Sequence, residues 1–443
     1  MKVLWVCNTM LPLAAEYLNR EATNKEGWVA GLAERILRDS DEKRVQLAVA
    51  CPVSGIGEQK KWLIPEMDGK RSFFVYGFEE NTEHPENYAE ELTRGLREII
   101  EDYKPDVVHC FGTEFPHTLA LTKVCDTNKL LIGIQGVCEK VEEVYYADLP
   151  ETVISRVTFR DFIKKDSIRQ QKKKFKKRSA GETAALKGAG HVTGRTLMDR
   201  EYSLRCNEKM QYHFMNETLR PVFYEGAWDL DHCEKHSIFV SQGDYPLKGL
   251  HYVLKAMPMI REKYPDVRLY VAGNPIVRPK NLMGALKVSS YGKYIMELIE
   301  RLRLEKNVVF LGKLNAEQMK ERMLSSNVFV CSSAVENSPN SLGEAMLLGV
   351  PCVTAWVGGV PSVFRDGVDG IAYPGYGAEE YAAASDKEAA QARALGAAVL
   401  NMWEDEEKMS EYGKNASIHA RDTHDGQKNY ERLLEIYREM TGK

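Results

Sequence analysis

Two glutamates, Glu336 and Glu344, close the run ENSPNSLGE at either end. Between them stand Asn337, Ser338, Asn340, Ser341 and Leu342, with Pro339 to stiffen the loop and Gly343 to admit a close approach. Carboxylates and amides of this kind exchange hydrogen bonds with sugar hydroxyls. An apolar run ends at Ser332 and a helical pattern begins at Ser341, so the cluster falls in a strand-to-helix loop. Free N–H groups and the macrodipole at a helix N-terminus favour a phosphate. The implied chemistry is that of a sugar bound beside a phosphate, with cations supplied from elsewhere. Ser341 and Glu344 also have the S-x-x-E spacing of a capping box, which offers Glu344 a structural duty. Glu336 has none, and it stands where open parallel sheets bind ligands, past the carboxyl end of a strand.

Such a loop needs strands and helices to hold it. Short apolar runs predict strands over 3–8, 45–51, 73–77, 107–112, 130–136 and 191–194 in the first half. In the second half they predict strands over 237–241, 267–272, 307–311, 327–332 and 351–355. Helical patterns lie between, at 31–39, 90–103, 250–264, 292–302, 316–325 and 341–348, and 387–441 reads as mostly helical. Strands spaced by helices imply parallel pairing and right-handed crossovers. The expectation is an α/β protein with two Rossmann-like domains whose parallel sheets face a cleft, with a hinge near 219–236.

Composition narrows the rest. The 443 residues carry a formal net charge of −4, which excludes a chain-wide polyanion binder. The nine cysteines show no C-x-x-C spacing and read as buried thiols in a reducing compartment, not as a zinc site. The first apolar run is too short for a signal peptide, and no apolar stretch is long enough to span a bilayer. One segment breaks the rhythm. Residues 164–178 read KKDSIRQQKKKFKKR and include Lys172, Lys173, Lys174, Lys176 and Lys177. With Phe159, Phe162 and Ile163 at i, i+3, i+4 spacing nearby, 159–178 is expected either to be a solvated basic helix or to touch an anionic membrane surface. No motif points to nucleic acid. A cytoplasmic protein is expected, peripheral on the inner face of the cell membrane if that patch binds.

ENSPNSLGE resembles the signature of the retaining glycosyltransferases of the GT-B fold, family four. AWVGGVPSVFRDGVDGIAYP resembles the same family's glycine-pair and D-G-x-x-G pattern, with Ser362 or Val363 in place of its usual Glu. VSQGDYPLKGLHYVLKAMP, VRLYVAGN, VVFLGKLNAEQM, PDVVHCFGTEFPHTLAL and IQGV are similar to further family pieces. GRTLMDR and YHFMNETLR resemble bacterial capsule or surface-polysaccharide members.

The resemblance implies a nucleotide-sugar donor, a saccharide or lipid-linked acceptor, retention of configuration, and neither cofactor nor metal. It implies an acceptor domain over 1–220, a donor domain over 221–423, and a C-terminal helix over about 424–443 packed back onto the first. Glu344 would hold the ribose, Glu336 the transferred sugar, and Lys248 the leaving diphosphate. His117 would face the transferred sugar, and Glu114 on the same loop would meet the acceptor. Gly27, Gly273 and Leu314 would join the donor-binding set. The family's Arg five or six residues before the lysine is replaced by Gln242 and Gly243, which leaves Arg195 as a substitute cation. The usual Gly-Gly is reduced to Glu26-Gly27. Two alternatives remain: a sugar-nucleotide epimerase of the same fold, and a non-catalytic glycosyltransferase partner subunit.

Overall fold

The computed structural model describes residues 1–20, 27–39, 45–53, 55, 60–276, 284 and 286–442. They form two compact units. The first comprises Met1–Glu139, Lys174–Arg220 and Thr423–Lys443, the second Lys140–Lys173 and Pro221–Asp422.

The first unit is built on strands β1 (Lys2–Val6), β2 (Gln46–Pro52), β3 (Lys61–Ile64), β4 (Phe73–Phe78), β5 (Val107–Phe111), β6 (Leu130–Gly133), β7 (His191–Gly194) and β8 (Gln211–Phe214). Their order is β3-β4-β2-β1-β5-β6-β7-β8. All pairs are parallel except β3 with β4. Every residue of β5 is buried, as a strand covered on both faces requires. A polar group there needs a partner. His109 finds one in the C-terminal helix Gly426–Thr441, where its Nδ1 lies 2.8 Å from the Tyr437 hydroxyl. The same hydroxyl accepts a 2.9 Å bond from Trp5 Nε1.

The second unit carries β9 (Glu234–Val240), β10 (Arg268–Ala272), β11 (Val308–Gly312), β12 (Ser326–Cys331), β13 (Cys352–Trp356) and β14 (Gly370–Pro374). The order is β11-β10-β9-β12-β13-β14, parallel throughout. β9 and β12 are neighbours at its centre, and their Phe239 and Phe329 rings pack 6.1 Å apart. The loops leaving these two strands therefore start side by side.

The structure departs from the sequence reading in four places. Strands β3, β8 and β14 were not anticipated: β3 and β8 are four residues long and include polar ones, and β14 is a short run bounded by Gly370 and Pro374. The strand expected over 130–136 stops at Gly133. Residues 140–173 belong to the second unit, although the boundary expected from sequence puts them in the first. The contacts responsible are long-range: His251 Nε2 lies 2.9 Å from the Ala147 carbonyl, and Ser290 N donates to Asp161 at 2.9 Å. Finally, no capping box forms at Ser341. The helix Asn340–Leu348 begins one residue earlier, with Pro339 as its N-cap and no side-chain cap.

Candidate functional site

The second unit gathers most of the sequence-derived residues at the carboxyl ends of β9 and β12. After β9 the chain runs through a tight turn, Pro246–Lys248, into the helix Leu250–Lys263. Gly249 joins the two with φ +69°, and any Cβ there would collide with the Ser332 carbonyl. That close approach lets the two loops bond along their length. Ser332 Oγ donates to the Lys248 carbonyl at 2.9 Å, and Ala334 N to the Leu247 carbonyl at 2.8 Å. The side chains complete the junction: Lys248 Nζ is 2.5 Å from Glu336 Oε1, which also accepts from Ser333 Oγ at 2.6 Å. The loop after β13 joins through Gly359 N, 2.9 Å from the Glu336 carbonyl.

Electrostatics follow from this pairing. Burial works against the Lys248 ammonium, but the Glu336 carboxylate overrides it and holds the lysine pKa well above its usual value. Burial pushes the Cys331 thiol up to about 11, and the Glu336 charge adds to that push. The site thus sets an ammonium against a carboxylate just ahead of a helix. In the loop before that helix Asn337 is buried and Ser338 half-buried; in its first turns Leu342 and Glu344 are buried, and Asn340 and Ser341 half-buried. The Asn340 Oδ1 atom is buried with no hydrogen-bond partner among the described residues.

Gly273 follows β10 with φ +116°, and a Cβ there would stand 3.1 Å from Asp244 Oδ1. Leu314 is half-buried just past β11. The departure at Gly243 has a packing cause. A Cβ on Gly243 would lie 2.7 Å from Leu250 Cδ2 and 2.8 Å from Val271 Cγ1, so no arginine fits there.

The remaining residues lie in the first unit. His117 opens the helix Pro116–Val124 beyond β5 and is fully buried. Its Nδ1 is 2.8 Å from Glu80 Oε2, and its backbone N donates to Glu80 Oε1 at 2.9 Å. Burial opposes the imidazolium, yet the Glu80 charge prevails and holds the His117 pKa well above normal. The Cys110 thiol beside the ring pushes the His117 pKa in the same direction. Glu114 turns back to accept from Thr113 N at 2.9 Å. Arg195 is buried and ion-paired with Glu217 at 2.9 Å, and it donates to the Ile134 carbonyl at 3.1 Å. Its charge is therefore already met. Gly27 is the first residue of the helix Gly27–Arg38, and Glu26 lies outside the described residues.

In the basic run, Lys172 is 3.6 Å from Glu142, whereas Lys173, Lys176 and Lys177 are exposed and Lys174 is half-buried, all on the helix Ile168–Lys187. Sequence reasoning missed Ser333 and Glu80. Ser333 sits three residues before Glu336, a spacing that could have flagged it; Glu80 stands 37 residues from His117 and leaves no local signal.

Residues 227–417, all within the second unit, match the family model described as Glycosyl transferases group 1. An uncharacterized glycosyltransferase of Methanocaldococcus jannaschii is 32% identical over 142 residues, covering 32% of this chain and 32% of that one. The alignments span about a third of the length of the curated relatives they match. Sucrose-phosphate synthase from Thermosynechococcus elongatus superposes with TM-score 0.71 at 14% identity over 100% of both chains. Anabaena HepE in complex with UDP and glucose gives 0.62 at 15% identity, covering 98% of this chain and 99% of that one. The chain has the fold of these GT-B structures.

Proposed function

We propose that this protein is a glycosyltransferase that moves a sugar from a nucleotide-sugar donor to a saccharide or lipid-linked acceptor with retention of configuration, in the cytoplasm and in surface-glycan synthesis. The Lys248–Glu336 pair carries the reading, because it sets a cation and a carboxylate side by side at a helix N-terminus beyond two central parallel strands. Lys248 and the helix amides meet the diphosphate and stabilise the charge that develops on it as the sugar leaves. Glu336 and Asn340 hold the sugar, and Glu344 the ribose. No carboxylate nucleophile is needed when positioning and leaving-group stabilisation carry the reaction. The family resemblance gives His117 of the first unit a part in handling the transferred sugar and Glu114 a part in meeting the acceptor.

A panel of nucleotide sugars, scored by thermal stabilisation and by release of nucleoside diphosphate, tests this. A donor is expected to raise Tm and to be turned over, and Glu336→Ala to abolish turnover with an unchanged circular dichroism spectrum. Full turnover in that variant, or an epimerised nucleotide sugar as the product, would overturn the assignment.

A further inference from the structure

The transfer reaction makes no use of the short helix Phe159–Lys164 in the second unit, yet the helix is firmly held. Thr158 and Asp161 form a reciprocal capping box at its start. Asp161 is 1% exposed and accepts from Ser290 N at 2.9 Å and from the Ser290 hydroxyl. Arg160 ties Asp161 and Asp166 together at 3.0 and 3.2 Å. What this rigid mount presents outward is apolar. Val157, Phe159, Phe162 and Ile163 are 56%, 57%, 72% and 61% exposed. Lys164 and Lys165 follow directly and are both exposed.

Scattered surface apolar residues need no explanation, but four large ones within seven positions on an anchored element do. A wedge of apolar side chains edged by lysines matches the boundary between acyl chains and anionic headgroups: the apolar tips enter and the ammonium groups stay among the phosphates. The basic run is the weaker part of this surface, since Lys172 is engaged by Glu142 and by the Tyr146 ring at 4.7 Å. We propose that residues 157–165 are a docking platform for an anionic lipid bilayer, with Phe162 and Ile163 as the inserting tips. The proposal goes beyond the transfer reaction and stands or falls without it.

Sedimentation of the full-length protein with phosphatidylcholine vesicles, with and without phosphatidylglycerol, tests it. Wild-type protein is expected to pellet with the anionic vesicles at low salt. The double change Phe162→Ser with Ile163→Ser should weaken partitioning at least about tenfold. Lys164→Glu with Lys165→Glu should weaken it about fivefold per lysine, and only on anionic vesicles. Circular dichroism melts and diphosphate release from soluble donor should be unchanged in both variants, so loss of docking is read separately from loss of activity. In Phe162→Trp, added fluorescence should be quenched by acyl-chain-brominated lipid, which reports insertion without removing the patch. Wild-type protein that stays in the supernatant, serine variants that pellet like wild type, or a wild-type dimer that the serine variants convert to monomer would each overturn the proposal, the last by assigning the patch to a second copy.

Discussion

Lys248 Nζ and Glu336 Oε1 stand 2.5 Å apart, so without a donor the site neutralises its own charges. A diphosphate must therefore compete with Glu336 for the ammonium. Glu336→Gln keeps the shape of the side chain and removes the competitor. The affinity for free nucleoside diphosphate is expected to rise severalfold by calorimetry while kcat for transfer falls. Lys248→Ala should instead weaken diphosphate binding, and it too should lower kcat, by about 10²–10³ if the ammonium stabilises the leaving group.

The position of the absent arginine can be tested directly. Gly243→Arg is expected to destabilise the second unit by at least about 1–3 kcal/mol, because Leu250 and Val271 leave no room for a side chain. A melt should show it. Gln242 is half-buried one residue earlier, and Gln242→Arg should be tolerated with tighter diphosphate binding. Equal Tm for the two variants would contradict the packing account.

Arg195 separates two roles. Its partner Glu217 is buried with it, so Arg195→Ala strands a carboxylate in the first unit. Breaking a buried pair costs about 3–5 kcal/mol. Urea unfolding should register that loss while the KM for the donor, measured at a temperature where the variant stays folded, is unchanged. A large rise in KM at constant stability would instead make Arg195 a donor ligand.

Histidines set the dependence on pH. Burial holds His109 and His251 down to about 3, and burial with the nearby His191 charge holds His213 down to about 4. These values lie below that of an unfolded chain, about 6.5, so the unfolded state takes up protons first as pH falls. Their contribution is complete above about pH 6.5 and is lost as pH falls toward 3–4, by up to about 1.4 kcal/mol per pH unit for each ring. His117 runs the other way: its raised pKa stabilises the fold below about 6.5 and that gain fades as pH rises through the folded value. Urea titrations at several pH values should show the acid loss shrink in His213→Gln.

The sequence made the central strands plain because a strand covered on both faces is mostly apolar, as the runs in VVHCF and SNVFVC are. Strands β3, β8 and β14 lie at sheet edges; KWLI and QYHF mix exposed polar residues into the run, and GIAYP is bounded by Gly370 and Pro374, residues that read as a turn. The Glu336 loop was legible because it follows such a central strand. The helix start was misplaced because Ser341 looked like a cap, whereas Pro339 fixes the turn one residue before Asn340. Glu80 and the allegiance of 140–173 could not be read at all, since each depends on partners far away in the chain.

Tyr437 has a consequence for synthesis. It joins Trp5 and His109 across separations of 432 and 328 residues, and the whole of 221–422 is translated in between. A ribosome therefore releases every residue of the second unit before the first can close its core. The earliest part of the chain waits for the latest, with a buried indole and imidazole unsatisfied meanwhile, whereas the long 221–422 stretch can begin to fold as it emerges. Ribosomes stalled before codon 437 should display a first unit open to protease, and release of the completed chain should close it.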